Sequence, residues 1–106
     1  MAPQTVELLY FDGCPNIDAA RRLVERVAVE EHLDIELRLV DVVADDVERM
    51  RFLGSPSVRV GGHDVEPGAD ERETFLFGCR VYRTNAGFSG TPSEEWVRTA
   101  LTAHAR

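Results

Sequence analysis

Two kinds of periodicity follow one another at the start of this chain, and that succession restricts the fold more than any other feature. Val6–Phe11 is a short, mostly apolar run, suited to a strand covered on both faces. Ile17, Ala20, Leu23, Val24, Val27 and Ala28 then recur at helical spacing, with Arg21, Arg22, Glu25, Arg26 and Glu30 on the other side. This helix is expected to end near Leu33. Ile35, Leu37, Leu39 and Asp41 alternate with Glu36, Arg38 and Val40, the period of a second strand.

Further along, Asp45 or Asp46 can cap a short second helix with apolar positions Val47, Met50 and Leu53, and Gly54 is expected to stop it. Ser57–Val60 reads as a third strand, and Gly61-Gly62 turns it into a short fourth strand, His63–Val65. Residues 66–90 read as an insert. Pro67-Gly68 and the acidic run Asp70–Glu73 look like loop, and Cys79–Thr84 like an extra strand ending at an Asn85-Ala86-Gly87 turn. Thr91-Pro92-Ser93-Glu94 has the form of a capping box with proline at the first helical position, opening a last helix that buries Trp96, Val97, Ala100 and Leu101. The order is β-α-β-α-β-β-(insert)-α, an α/β chain. Right-handed crossovers put the first and third strands in one sheet with helices on both faces. No linker interrupts it, so residues 1–106 read as a single domain.

Charge and composition exclude several functions. The net charge is −7 with carboxylates scattered along the chain, which opposes nucleic acid and anionic membrane surfaces because phosphate binding needs a concentrated basic patch. There is no lysine, which removes Schiff-base and lysine-base chemistry. No apolar run approaches a membrane span, and Met1–Glu7 lacks the basic and apolar regions of a signal peptide. A cytoplasmic location is therefore expected, where two cysteines read as free thiols or a redox pair rather than a staple.

Cys14 stands at the junction of the first strand and first helix, within Phe11-Asp12-Gly13-Cys14-Pro15-Asn16. A helix N-terminus offers unpaired N–H groups and partial positive charge, which stabilise a thiolate. Pro15 suits the first helical turn. Asp12 and Asp18 oppose that stabilisation. Cys14 is equally readable as a small buried residue filling the corner.

The element order resembles the thioredoxin fold, a three-layer α/β/α sandwich around a central mixed sheet. Two motifs carry the resemblance. Cys14-Pro15-Asn16-Ile17 is similar to a glutaredoxin-type CPxC whose second cysteine has become Ile17. Gly54-Ser55-Pro56-Ser57-Val58 is similar to the segment bearing that family's cis-proline before the third strand. The sequence also resembles a group of small bacterial thioredoxin-like proteins often labelled as related to alkylmercury lyase. The shared runs are Phe11–Pro15, Arg51–Pro56, Val65–Ala69 and Cys79–Arg83. The likeness to the thioredoxin fold covers about the first two-thirds of the chain plus the final helix, with residues 66–90 additional to the minimal fold, whereas the likeness to the second group extends over the whole sequence. It implies a cis Ser55–Pro56 bond, with the backbone N–H and C=O of Ser55 held beside Cys14 to pair with an extended partner. Cys14 and Pro15 then face that partner.

Without a second cysteine at Ile17, a disulfide-exchange cycle needs another resolving thiol. Cys79 is the one candidate in the chain; it reads alternatively as a buried residue among Phe75, Leu76, Phe77 and Val81. Arg80 and Arg83 beside it offer positive charge for a thiolate or an anionic substrate group, or are solvated strand residues. Two thiolates could hold a soft cation such as mercury or copper(I), whereas His32, His63 and His104 lack zinc-ligand spacing and read as surface residues. Asp64, Glu66, Asp70 and Glu71 read as a solvated acidic loop. Phosphate-loop, dinucleotide and nucleophile-elbow signatures are missing, so no cofactor is expected.

Three functions follow as expectations. In the first, Cys14 attacks a protein or small-molecule disulfide, Ser55–Pro56 docks the partner and Cys79 resolves. In the second, the thiols capture a soft metal or organomercurial without turnover. In the third, the chain is a non-catalytic interaction domain, a homodimer among its forms. An exposed Cys14 favours the first two and a buried Cys14 the third.

Overall fold

Leu8 and Leu9 are adjacent in the chain and both are buried, on opposite faces of one strand. That pair organises the architecture, which a computed structural model describes for residues 3–103; His104 lies outside them. The first strand, β1 (Gln4–Tyr10), sends Val6 and Leu8 into a large cluster with Val24, Val27, Val97 and Leu101, and Leu9 into a smaller one with Val42 and Phe52. Helices α1 (Ile17–Glu30) and α3 (Glu94–Ala103) cover the first face. The other carries a 3-10 turn (Ala44–Asp46) running into the single-turn helix α2 (Val47–Met50).

The main sheet has the order β2-β1-β3-β4 and is mixed. β2 (Ile35–Asp41) runs parallel to β1, β3 (Ser57–Val60) antiparallel to β1, and β4 (His63–Asp64) antiparallel to β3. A separate two-stranded sheet pairs β5 (Tyr82–Thr84) with β6 (Gly87–Ser89). No helix among the described residues is long and apolar enough to cross a membrane.

Several local expectations change for identifiable reasons. α1 ends at Glu30, where residues 31 and 32 turn and His32 takes φ +55°. Pro15 lies outside this helix; Asn16 is the N-cap and Ile17 the first helical residue. The alternation of β2 breaks at Leu39, which is 52% exposed on an edge strand while Val40 packs toward Leu9. α2 is ended by Arg51 in the left-handed conformation (φ +53°), three residues before Gly54. Gly54 has another task. At φ +106° an added Cβ would lie 3.0 Å from the Cβ of Arg80 and 3.1 Å from its Cα, so only glycine lets the insert cross here. The cap of α3 is Ser93 rather than Thr91, its Oγ accepting the Trp96 N–H at 3.1 Å. Pro92 therefore precedes the cap.

Candidate functional site

The site forms where β1 ends and β3 begins. Leu9 pairs with Ser57 in the antiparallel register, which brings Ser55–Pro56 beside the chain leaving β1. That chain turns at once: the Cys14 N–H donates to the Phe11 carbonyl at 3.1 Å, with Gly13 at φ +91°. The turn folds Cys14 inward to 7% exposure while Pro15 stays exposed. Ser55 and Pro56 are buried and the peptide bond between them is cis.

The insert closes over this junction. The Ser55 N–H donates to the Gly78 carbonyl at 2.7 Å, and the Arg80 N–H donates to the Ser55 carbonyl at 2.8 Å. Ser55 and Cys79 are thus bridge partners in a parallel sense. Both backbone groups expected to face a partner chain are occupied by residues of the protein's own insert. Phe77 packs against Phe11 (ring centroids 5.6 Å apart) and Phe52 (6.5 Å), joining the insert to the turn that carries Cys14. Within this arrangement Cys79 is exposed, not a buried filler, and both cysteines are free thiols.

Arg80 is neither a solvated residue nor a free cation for substrate. Its side chain is 3% exposed and lies in a polar centre below β3 and β4. Nη1 donates to Asp64 at 2.7 Å and to Ser57 Oγ at 2.8 Å; Nη2 donates to Asp64 at 3.1 Å and Glu66 at 2.8 Å. The guanidinium also stacks 4.3 Å from the centroid of Tyr82. Asp64 and Glu66 are accordingly counter-ions, 3% and 13% exposed, not members of a solvated acidic loop. Burial works against the charge on Arg80, but the hydrogen bonds and attraction of Asp64 and Glu66 outweigh it and hold the guanidinium protonated. Burial likewise pushes Glu66 up, and hydrogen bonds from Arg72 and Arg80 overcome that push to hold its carboxyl below the usual range. Tyr82 is driven up chiefly by burial, and its hydroxyl donates to the Pro56 carbonyl. Arg83, by contrast, is exposed over Phe88.

The structure therefore gathers Ser55, Pro56, Cys79 and Arg80 on one crossing of the insert, with the Cys14 turn joined to it through Phe11 and Phe77. Ser55 Oγ and Arg80 Nε are buried without a hydrogen-bond partner among the described residues. Among those residues no three His, Cys, Asp or Glu side chains converge in a manner that could hold a metal ion. His32 and His63 are exposed. Sequence reasoning missed the ionic centre because its members look like scattered surface charges; the one available signal was an arginine, aspartate and glutamate bracketing a glycine-rich crossing. No family model, curated protein or solved structure matches the chain.

Proposed function

We propose that the chain is a thioredoxin-like thiol protein that performs thiol–disulfide exchange through Cys79 and Cys14. The observation carrying this reading is the Ser55–Cys79 bridge, which sets an exposed thiol beside a cis-proline, in an insert that reaches the turn of the second cysteine through the Phe11–Phe77 contact. The fold reading is supported by the sheet order, the antiparallel β3 and β4, the helices on both faces and the cis-proline before β3.

In this reading the roles are the reverse of those expected from the sequence: the exposed Cys79 attacks and the buried Cys14 resolves. The Cys79 thiolate attacks a partner disulfide, forming a mixed disulfide and releasing one partner thiolate. The Cys14 thiolate then attacks the Cys79 sulfur, forming a Cys14–Cys79 disulfide and releasing the second partner thiolate. The partner gains two electrons, and the two cysteines lose them. A thiol of a small molecule or of another protein restores the dithiol by the reverse exchange. Ser55 and Pro56 hold the Cys79 segment in place, and Arg80 anchors it from the polar centre.

Reduction of glutathione disulfide by the wild type, C79S and C14S tests the scheme. C79S is expected to lose turnover, and C14S to stall as a glutathione adduct on Cys79. The burial of Cys14 favours a second reading, a non-catalytic interaction domain of the same fold. Absence of turnover and of any adduct in all three proteins would establish that reading instead.

A further inference from the structure

The chain between the Ser55 crossing and the β5–β6 turn carries a surface that the exchange scheme leaves unused. Burial alternates along it: Arg80 and Tyr82 are buried, while Cys79, Val81 and Arg83 are exposed. The Arg80 guanidinium stacks on the Tyr82 ring, so these two side chains leave one face of an extended segment and the other three leave the opposite face. In the β5–β6 pairing Phe88 stands directly across from Arg83, whose guanidinium lies 5.9 Å from the ring centroid. Val81 is 66% and Phe88 76% exposed. Arg83 has no carboxylate partner among the described residues.

The backbone is open along the same stretch. The Gly78 carbonyl and the Arg80 N–H both turn toward Ser55, so the N–H and C=O of Cys79 between them point to the opposite edge. Neither backbone group of Cys79 or of Val81 has a hydrogen-bond partner among the described residues. An exposed thiol, an apolar patch and an unpaired guanidinium thus stand along one open strand edge.

We propose that this edge docks an extended segment of a partner protein in which an acidic and an apolar residue precede the disulfide cysteine by four and two positions. This docking rests on the exchange reading, for which it sets the substrate class: a protein disulfide with an acidic, apolar flank. The segment adds as a strand antiparallel to residues 79–83, the orientation with the stronger pairing per residue. Opposite residues that exchange hydrogen bonds in such a pair have Cα atoms about 5.5 Å apart, within the range of about 4.4–6.8 Å that a disulfide spans. With the partner cysteine opposite Cys79, the residue two before it meets Val81 and the residue four before it meets Arg83 and Phe88. Those neighbours favour an apolar side chain and a carboxylate. The net charge of −7 repels an acidic partner in general, so the carboxylate is favoured only through Arg83.

The test follows peptide capture by Cys79 in the Cys14→Ser protein, where it is the one thiol of the chain. End-blocked Glu-Thr-Leu-Thr-Cys, Lys-Thr-Leu-Thr-Cys and Glu-Thr-Ser-Thr-Cys are supplied as mixed disulfides with thionitrobenzoate. The Cys79 thiolate attacks the peptide sulfur, a disulfide joins protein to peptide, and the thionitrobenzoate thiolate that leaves is followed by its absorbance. At low salt the first peptide should be captured about threefold to tenfold faster than the second, the combined size of one exposed attraction and one repulsion, and the gap should close at high salt. The first should also outpace the third by about twofold or more. Arg83→Gln should abolish the glutamate preference and Phe88→Ser reduce it, while Arg22→Gln leaves it unchanged. Equal rates, faster capture of the lysine peptide as net charge alone would give, or a glutamate preference that survives Arg83→Gln would overturn the proposal. The exchange scheme stands or falls separately. Discrimination among peptides by a protein that does not turn over glutathione disulfide retains the docking edge and removes the exchange, and turnover without discrimination does the reverse.

Discussion

Replacing Arg80 by methionine removes the cation from the polar centre while keeping most of the side-chain volume. Asp64 and Glu66, 3% and 13% exposed, then remain with less compensation, and Ser57 Oγ loses its donor. Breaking a buried ion pair from one side costs about 3–5 kcal/mol, against about 0–1 kcal/mol for a solvated pair. All three side chains that accept from Arg80, namely Asp64, Glu66 and Ser57, are at most 13% exposed, so the larger figure applies. For a chain of this size that corresponds to a fall of about 15–30 °C in Tm. The pH dependence has a definite sign. Glu66 has a lowered pKa in the folded protein, so it adds stability above its unfolded pKa, near 4.3, and that stability is lost as pH falls through the folded value. In the variant only Arg72 is left to offset the burial of Glu66, so protonation of Glu66 relieves the fold. The gap between the two proteins should therefore be widest at pH 7 and narrow on acidification through the carboxylate range. Urea unfolding followed by Trp96 fluorescence at pH 7 and pH 4.5 measures this. Adding Asp64→Asn and Glu66→Gln to the variant should recover part of the loss. A loss below about 1 kcal/mol, or a gap unchanged with pH, would refute the assignment of Arg80 as a buried anchor.

Other substitutions test separate joints of the structure. Gly54→Ala forces a side chain onto φ +106° and against the Arg80 backbone; a loss of about 1–3 kcal/mol in urea unfolding is expected, with faster alkylation of Cys14 as the insert loosens. Phe52→Ala empties the smaller cluster, where Phe52 is fully buried, and should cost about 3–5 kcal/mol by thermal unfolding. Ser93→Ala deletes the cap of α3 and should cost about 1 kcal/mol, whereas Thr91→Ala should cost less.

The succession of strand, helix and strand was legible because each element repeats its own period over enough residues. Val6, Leu8 and Leu9 announced burial on both faces, and Gly61-Gly62 announced the β3–β4 turn, with φ +59° and +87°. Boundaries were less legible where two residues could perform the same act. Arg51 rather than Gly54 stops α2, since the close passage of Arg80 reserves Gly54. The chemistry of Arg80 was hidden because its partners lie 16 and 14 positions away and meet it only after the insert folds back. The same crossing covers Ser55 and leaves Cys79 outside, an outcome that no local pattern in residues 66–90 encodes. The role of Cys14 stayed open in the sequence for the related reason that its burial follows from the turn in which its N–H donates to the Phe11 carbonyl, a geometry that the residue pattern leaves unspecified.

The central claim is that Cys14 and Cys79 act on one another. Oxidation of the dilute protein with diamide, followed by proteolysis and mass mapping, tests it directly. The account predicts a monomer lacking both free thiols and a linked pair of peptides containing Cys14 and Cys79, reversed by dithiothreitol. Dimers joined through Cys79 with Cys14 still free would contradict it.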